Sequence, residues 1–498
     1  MVETADDQRM PSQGSKVGRR TASKPMDENS EFTTKTGSND LLSTGLHEYQ
    51  VGYARVTANP VMQALKNFLL RSVMPLFLMA STPNIVFLIW FAAAHCDGSY
   101  ACVGNVFREK SLVGGLRYIY GHVNAPSAPV IWTLIGYSVF ALTIMRLLPG
   151  KTVYGPTTPK GHVPVYKDNG FACFATTMVT FVLLTIVLKT FFSVSPTLIY
   201  DRFDEVLAAL NIFSILFCLF LYLKGLLAPS LSDSGSSGNI IFDYYWGMEL
   251  YPRVLGFDVK VFTNCRFGMT VWPLLVCVFA LKSYELYGFV DSMFVTTTLQ
   301  LVYCTKFFWW EAGYMNTIDI MMDRAGYYIC WGCLVYIPGL YASVSLYMVN
   351  HPVNLGLPLT AFLLALGVLS IYINYDADKQ KLQVRSSDGR CLVWGRKPSI
   401  IRAKYVLDSG ETRESILLAS GWWGLSRHFH YIPEILLAFF WSVPALFHDV
   451  MPYTYVIWLV LLLTHRSYRD DTKCENKYGN FWLQYCRKVP HKIVPYIF

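Results

Sequence analysis

Charge is scarce in this 498-residue chain: Asp, Glu, Lys and Arg together make up 15% of it, against about 25% in an ordinary soluble domain. That shortfall, beside 53% hydrophobic residues, excludes a soluble globular enzyme and leaves a chain organised by a bilayer. Basic runs interleaved with aromatics are also missing. The net charge of +8 is spread over loops and ends, so nucleic acid is not the expected partner. No G-x-G-x-x-G follows a strand, so any dinucleotide site here is not of the Rossmann kind. The twelve cysteines form no disulfide framework: Cys173, Cys218 and Cys277 lie inside apolar runs as small hydrophobes. Cys330-x-x-Cys333 has metal spacing but no second ligand pair, and no metal is expected. Cys96 and Cys102 are placed to bridge if their loop is lumenal. No internal repeat is visible, which argues against an inverted-repeat transporter. The first apolar stretch begins near Ser72, too far along for a cleaved signal peptide.

What is present is a series of apolar stretches near the roughly 20 residues that cross a hydrocarbon core. They lie at about 72–95, 127–148, 171–192, 206–227, 267–289, 290–310, 327–348, 354–375, 432–447 and 451–463. The expected fold is an all-α polytopic membrane protein with about ten transmembrane helices, the last two short, and a C-terminal cofactor-binding module facing the cytosol. Three regions follow: a polar, disordered tail over 1–60, a transmembrane bundle of about eight spans over 61–375, and a module over 376–498 with two short membrane helices. Lys16, Arg19, Arg20 and Lys24, the basic loop 379–404 and the basic C terminus put both termini in the cytosol. Arg108, Lys110 and Arg117 weigh mildly against that orientation.

Chemistry concentrates in the last part of the chain. After an apolar run, residues 462–498 gather Arg466, Arg469, Asp470, Cys474, Lys477, Tyr478, Trp482 and Tyr485, a set suited to holding a polyanion beside a membrane. Upstream, Lys381, Arg385, Arg390, Arg396 and Lys397 fall close together, followed by Arg427 and His428. They read either as positive-inside charge at the headgroups or as a phosphate cradle. Asp388-Gly389 and Ser409-Gly410 are turn signals between β-prone runs and predict a small hairpin next to the bilayer. Nearer the membrane centre, Lys282 and Glu285 share a helix face and are expected to neutralise each other. Glu311, after FFWW, is the acid best placed to line a cavity. The aromatics from Tyr314 to Tyr341 suit packing, or a flat polycyclic lipid.

The string LL-x-HR-x-x-RD-x-x-x-C-x-x-KYG-x-x-W-x-x-Y resembles the C-terminal signature of the sterol reductases, membrane enzymes that use NADPH to saturate ring double bonds. DYYWGMELYPR at 243–253, TIDIMMDRAGYYICWG at 317–332 and SGWWGLSRHFHY at 420–431 extend the resemblance over about residues 145–498. DGRCLVWGRKP at 388–398 and the Arg-His-Phe at 427–429 are similar to the branch that reduces the C7 double bond of 5,7-diene sterols; C14 reductases usually show Arg-His-Pro there. The resemblance implies NADPH contacts from Lys381, Arg385, Leu418, Trp423, His430, Tyr431, Asp470, Cys474, Glu475, Asn476, Lys477, Tyr478 and Tyr485. It implies a sterol drawn from the bilayer into a pocket of the bundle, an endoplasmic reticulum location, and association with other sterol-pathway enzymes. The implied chemistry is protonation at C8 and hydride delivery to C7, with the acid among Tyr341, Glu311 and Asp470. Four places depart from the family pattern: His430 and Tyr251 stand where it has Asn, Cys333 where it has Asp, and Ala342-Ser343-Val344 where it has Thr-Leu-Gln. At its ordinary pKa of about 6.5, His430 is expected to switch charge within the assay range. The competing classes are an isoprenylcysteine-type methyltransferase, disfavoured by the DGRCLVWGRKP insertion and the ten spans, a C14 reductase, and a non-catalytic sterol-binding protein.

Overall fold

The structure, a computed structural model, describes residues 60–498 except 156–157, 159–161, 407–409, 411 and 498. The expected tail lies outside the described residues up to position 59. Backbone N–H and C=O groups cannot stay unpaired in hydrocarbon, so the apolar runs become helices. In order these are α1 (Met74–His95), α2 (Tyr100–Tyr120), α3 (Ala128–Leu147), α4 (Gly170–Phe192), α5 (Phe203–Leu227), α6 (Met269–Tyr287), α7 (Asp291–Trp309), α8 (Leu357–Ser386), α9 (Tyr431–Ser442), α10 (Thr454–Tyr478) and α11 (Asn480–Lys488). Two wider π-helical stretches, Val261–Gly268 and Tyr327–Tyr341, open α6 and fill the gap between α7 and α8. Strands occur only as antiparallel pairs among the described residues: β1 (Lys151–Tyr154) with β2 (Val165–Asp168), β3 (Arg253–Val254) with β4 (Phe257–Asp258), and β5 (Ile400–Val406) with β6 (Thr412–Leu418). The last pair is the hairpin that the turn signals predict.

Among the described residues, seven helical stretches are long and apolar enough to cross a membrane, against the ten expected. The differences have physical causes. α7 carries Asp291, Gln300 and Lys306 along a partly buried length. The expected span at 432–447 is a shorter apolar helix, Tyr431–Ala445. The expected span at 451–463 is only the apolar start of α10, whose 25 residues continue without a break into the charged signature. The basic loop 379–404 likewise begins as helix, because α8 runs on to Ser386 and carries Lys381 and Arg385 in its last turns.

The bundle core closes around Trp272, which is fully buried. Its ring lies 5.2 Å from Tyr341, 5.7 Å from Tyr303 and 5.8 Å from Trp441. Its indole N–H donates to Gln300 at 2.7 Å, and Gln300 in turn donates to Ser345 at 2.9 Å, so this polar chain is paired, whereas the Trp441 indole N–H is buried without a partner among the described residues.

Charges at depth are paired too, though not as expected. Glu311 does not line a cavity: it is buried in a bidentate ion pair with Arg266, whose other contact is Asn169 at 3.0 Å. Gly170 permits this, since a Cβ there would stand 2.2 Å from the Glu311 carboxylate. Lys282 and Glu285 do not neutralise each other either. Lys282 reaches Asp201 at 2.7 Å, while Glu285 takes Lys189 at 2.6 Å and the Ser195 and Thr197 hydroxyls at 2.8 Å. Cys96 and Cys102 form a disulfide at the end of α1, and Cys330 and Cys333 are buried free thiols. No cluster of three metal-ligating side chains occurs among the described residues.

These two pairs differ in burial, and their removal should differ accordingly. Glu311→Ala leaves Arg266 buried without its counter-ion and should cost about 3–5 kcal/mol. Lys282→Ala removes a partly exposed pair and should cost no more than about 1 kcal/mol. Denaturant unfolding of the purified variants in detergent measures both.

Candidate cofactor site

The last turns of α8, the β5–β6 hairpin, the start of α9 and the polar half of α10 converge, and each contributes residues that the sequence singles out. Trp423 is the hub. Its indole donates to the Ala377 carbonyl on α8 at 2.7 Å, and its own carbonyl accepts the Tyr485 hydroxyl of α11 at 3.2 Å. Lys381 lies over its ring with Nζ 3.8 Å from the centroid, and the His430 ring stands 4.9 Å away. Tyr431 follows at 4.4 Å from His430 and stacks on His428 at 5.1 Å. Leu418, at the end of β6, packs beneath Trp423 together with Val384, Val393 and Ile416.

α10 closes the other side. Asp470 lies within electrostatic reach of Lys381 and is faced by the Cys474 thiol at 3.9 Å. Arg385 donates through Nε to the Ile416 carbonyl at 3.2 Å, and its terminal fork has no hydrogen-bond partner among the described residues. The Tyr478 hydroxyl meets Ser415 at 3.5 Å, and Lys477 lies 4.2 Å over the Tyr405 ring. Glu475 and Asn476 are exposed on the outer turn of α10. Tyr341 and Glu311 are not part of this convergence and belong to the bundle. Tyr341 sits among Trp272, Tyr455 and Trp458, and its hydroxyl makes no hydrogen bond among the described residues.

Sequence reasoning missed what fastens the site to the bundle. Arg466 pairs with Asp319, and Arg469 with Asp323 at 2.8 Å. The buried Lys260 ties the same segment by donating to the Ile320 and Asp323 carbonyls at 2.7 and 2.6 Å. The signal was present, since Asp319 and Asp323 are four apart and Arg466 and Arg469 three apart, the spacing of one helical turn, although only the arginines share a helix. Asn374 of α8 also donates to the His430 carbonyl at 3.0 Å and fixes the entry to α9.

The electrostatics of His430 overturn its expected switch. Burial, then the charge of Lys381, then His428, Arg466 and Lys306 hold it well below 6.5, which opposes a change of charge at that value. Its Nδ1 is buried without a hydrogen-bond partner among the described residues. Nearby, Asp471 is partly buried, which raises its pKa, yet the neighbouring His428, Lys492 at 2.9 Å and the charge of Arg427 hold it down to about 2. The other departures from the family pattern are accommodated by packing. Tyr251 is buried with Lys260 5.3 Å over its ring, Cys333 accepts from Asn264 at 3.2 Å, and Val344 is fully buried.

The polar end of this helical membrane bundle thus gathers an imidazole, two cations and stacked aromatics, an arrangement chemically suited to an anionic, ring-bearing molecule. Residues 78–498 match the Ergosterol biosynthesis ERG4/ERG24 family, and the chain belongs to it. It is 51% identical over 428 residues to a 7-dehydrocholesterol reductase of Arabidopsis thaliana, covering 85% of this chain and 96% of that protein. It is 37% identical to a 7-dehydrocholesterol reductase of Danio rerio over 71% of this chain and 74% of that one. A Delta(14)-sterol reductase of Methylotuvimicrobium alcaliphilum is 33% identical over 85% of this chain and 94% of its own length.

The lowered His430 pKa has a measurable sign. The unfolded ring binds a proton near 6.5 and the folded ring does not, so stability conferred above that pH is lost as pH falls below it. Between pH 7.5 and 5.5 the wild type should lose stability that His430→Asn keeps, as read by unfolding in detergent.

Proposed function

We propose that the chain is an NADPH-dependent reductase of the C7=C8 double bond of 5,7-diene sterols, acting in sterol biosynthesis. The observation that carries this reading is the likeness to a 7-dehydrocholesterol reductase over 96% of its length. The fit of the site to the cofactor supports it. His430 offers a buried, unpartnered Nδ1. Lys381 and Arg385 stand within charge range of each other on one helix. Trp423 and Tyr431 present ring faces beside them.

Arg385 and Lys381 hold the phosphates, Arg385 through its unoccupied fork. Arg385 favours the 2′-phosphorylated cofactor because that phosphate adds charge for a planar guanidinium to grip. His430, neutral, offers one nitrogen as donor and the other as acceptor, which is what an amide at the same place would offer. Asp470, Cys474, Lys477, Tyr478 and Tyr485 line the α10–α11 side, with Glu475 and Asn476 at its solvent edge. When bound, NADPH supplies a hydride. The chain's own tasks are to place the diene, deliver a proton to C8 from the opposite ring face, and keep water from the allylic cation. Glu311 is committed to Arg266 and is not available as the acid. Tyr341 has a free hydroxyl inside a wall of Trp and Tyr rings and is our assignment. Asp470 stays with the cofactor side.

The protein is read as resident in the endoplasmic reticulum membrane with cytosolic termini. Tyr100 meets Thr454 at 2.6 Å and Tyr347 meets Asp449 at 2.9 Å, which gathers the disulfide loop and the start of α10 at one end. A disulfide suits the oxidising lumen, and the cations at the far ends of α8 and α10 suit the cytosol.

Two variants separate the assigned roles. Arg385→Ala should raise KM for NADPH about tenfold while changing that for NADH little; equal losses with both would remove the phosphate assignment. Tyr341→Phe should lower kcat by roughly 10²–10⁴ with NADPH affinity intact.

A further inference from the structure

The loop between α8 and β5 exposes residues that neither the cofactor site nor the core uses. Val393 and Arg396 exchange backbone hydrogen bonds of 2.8 and 3.1 Å, closing a two-residue turn. Its central residues, Trp394 and Gly395, both have positive φ, 50° and 73°. Asn-Gly or Gly-Gly suits such a turn; a tryptophan in the left-handed region is unusual and costs backbone energy. Nor does burial repay that cost. Val393 points inward onto the Trp423 cluster, whereas Leu392 is 68% and Trp394 56% exposed. Arg390, Arg396 and Lys397 are exposed around them and form no ion pair among the described residues. The loop's acid, Asp388, is occupied by Arg402 at 2.8 Å.

The depth of this tip is fixed by its contacts. Trp394 packs edge-on at 4.9 Å against Trp422, and Trp422 donates to Asp376 at 2.8 Å. Asp376 is the first charged residue after the apolar run of α8, so the tip stands where α8 leaves the hydrocarbon. One residue earlier, Tyr375 meets Trp310 edge-on at 5.6 Å. Tryptophan bodies and basic side chains are enriched at this level of a bilayer. Exposed cations there complement lipid phosphates.

We propose that residues 390–397 are an interfacial anchor that seats Leu392 and Trp394 among lipid headgroups and selects anionic phospholipid through Arg390, Arg396 and Lys397. The bound chemistry is a phosphate anion, and its source is the leaflet rather than the cofactor. This reading does not depend on the reductase assignment. Because Val393 lies between the tip and Trp423, seating the tip also steadies the wall on which Lys381 rests.

Hydrogen–deuterium exchange of residues 388–398 tests it, using the full chain in nanodiscs of phosphatidylcholine alone and of phosphatidylcholine with about one-third phosphatidylserine. Exchange should slow about tenfold with phosphatidylserine. The slowing should vanish in high salt and in the combined variant Arg390→Gln, Arg396→Gln, Lys397→Gln. Trp394→Ala should speed exchange in both lipids. Unchanged exchange in residues 327–341 reports that each variant is folded, and the wild-type comparison stands without any variant. Equal exchange of the wild-type loop in both lipids overturns the proposal. So does equal protection by NADPH in phosphatidylcholine alone, which would assign the cations to the cofactor.

Discussion

Two arginines one turn apart on α10 close on two aspartates four residues apart before the π-helical stretch, and the placement of the whole polar end rests on that double ion pair. Arg466 meets Asp319, and Arg469 meets Asp323. Asp323 is fully buried, so losing its partner would strand a charge away from water, which is far costlier than losing an exposed pair. The pairing joins a segment of the bundle to the helix that carries Asp470, Cys474, Lys477 and Tyr478. Lys260 adds two hydrogen bonds to the same loop. The polar end and the bundle are therefore held in one register.

A second constraint is helix length. α8 has 30 residues and spans roughly 45 Å at 1.5 Å per residue, longer than a hydrocarbon core of about 30 Å. Its excess emerges as a polar rod. On that rod Asp376 and Ala377 anchor Trp422 and Trp423, and Lys381 and Arg385 supply the cations. α10 does the same from the other side. The proposed cofactor site is thus built largely from the protruding ends of membrane helices, with the β5–β6 hairpin and α11 packed against them. The boundary expected at residue 376 falls inside α8.

The distinction between legible and illegible features follows range along the chain. The apolar runs declared most spans because their signal is local. The β5–β6 hairpin was legible from its turn residues, and Lys381, Trp423 and Tyr485 from a motif that spaces them in the chain. What the sequence hid was pairing between distant segments. Lys282 and Glu285 looked like partners because they are three apart, yet each has a better counter-ion elsewhere. Glu311 looked available because Arg266 is 45 residues away. His430 looked like a switch because neither its burial nor the charge of Lys381 can be read from its neighbours. The short final span misled because α10 changes from apolar to charged without changing conformation.

The central claim is that a site built from α8, α9 and α10 delivers a hydride to C7 of a 5,7-diene sterol in the bundle. Reconstituted protein supplied with such a sterol and with NADPH deuterated at the transferring position tests it in one reaction. The product should carry one deuterium at C7 and keep its C5 double bond. Deuterium at another ring carbon, or a sterol recovered unlabelled and unreduced, would contradict the account.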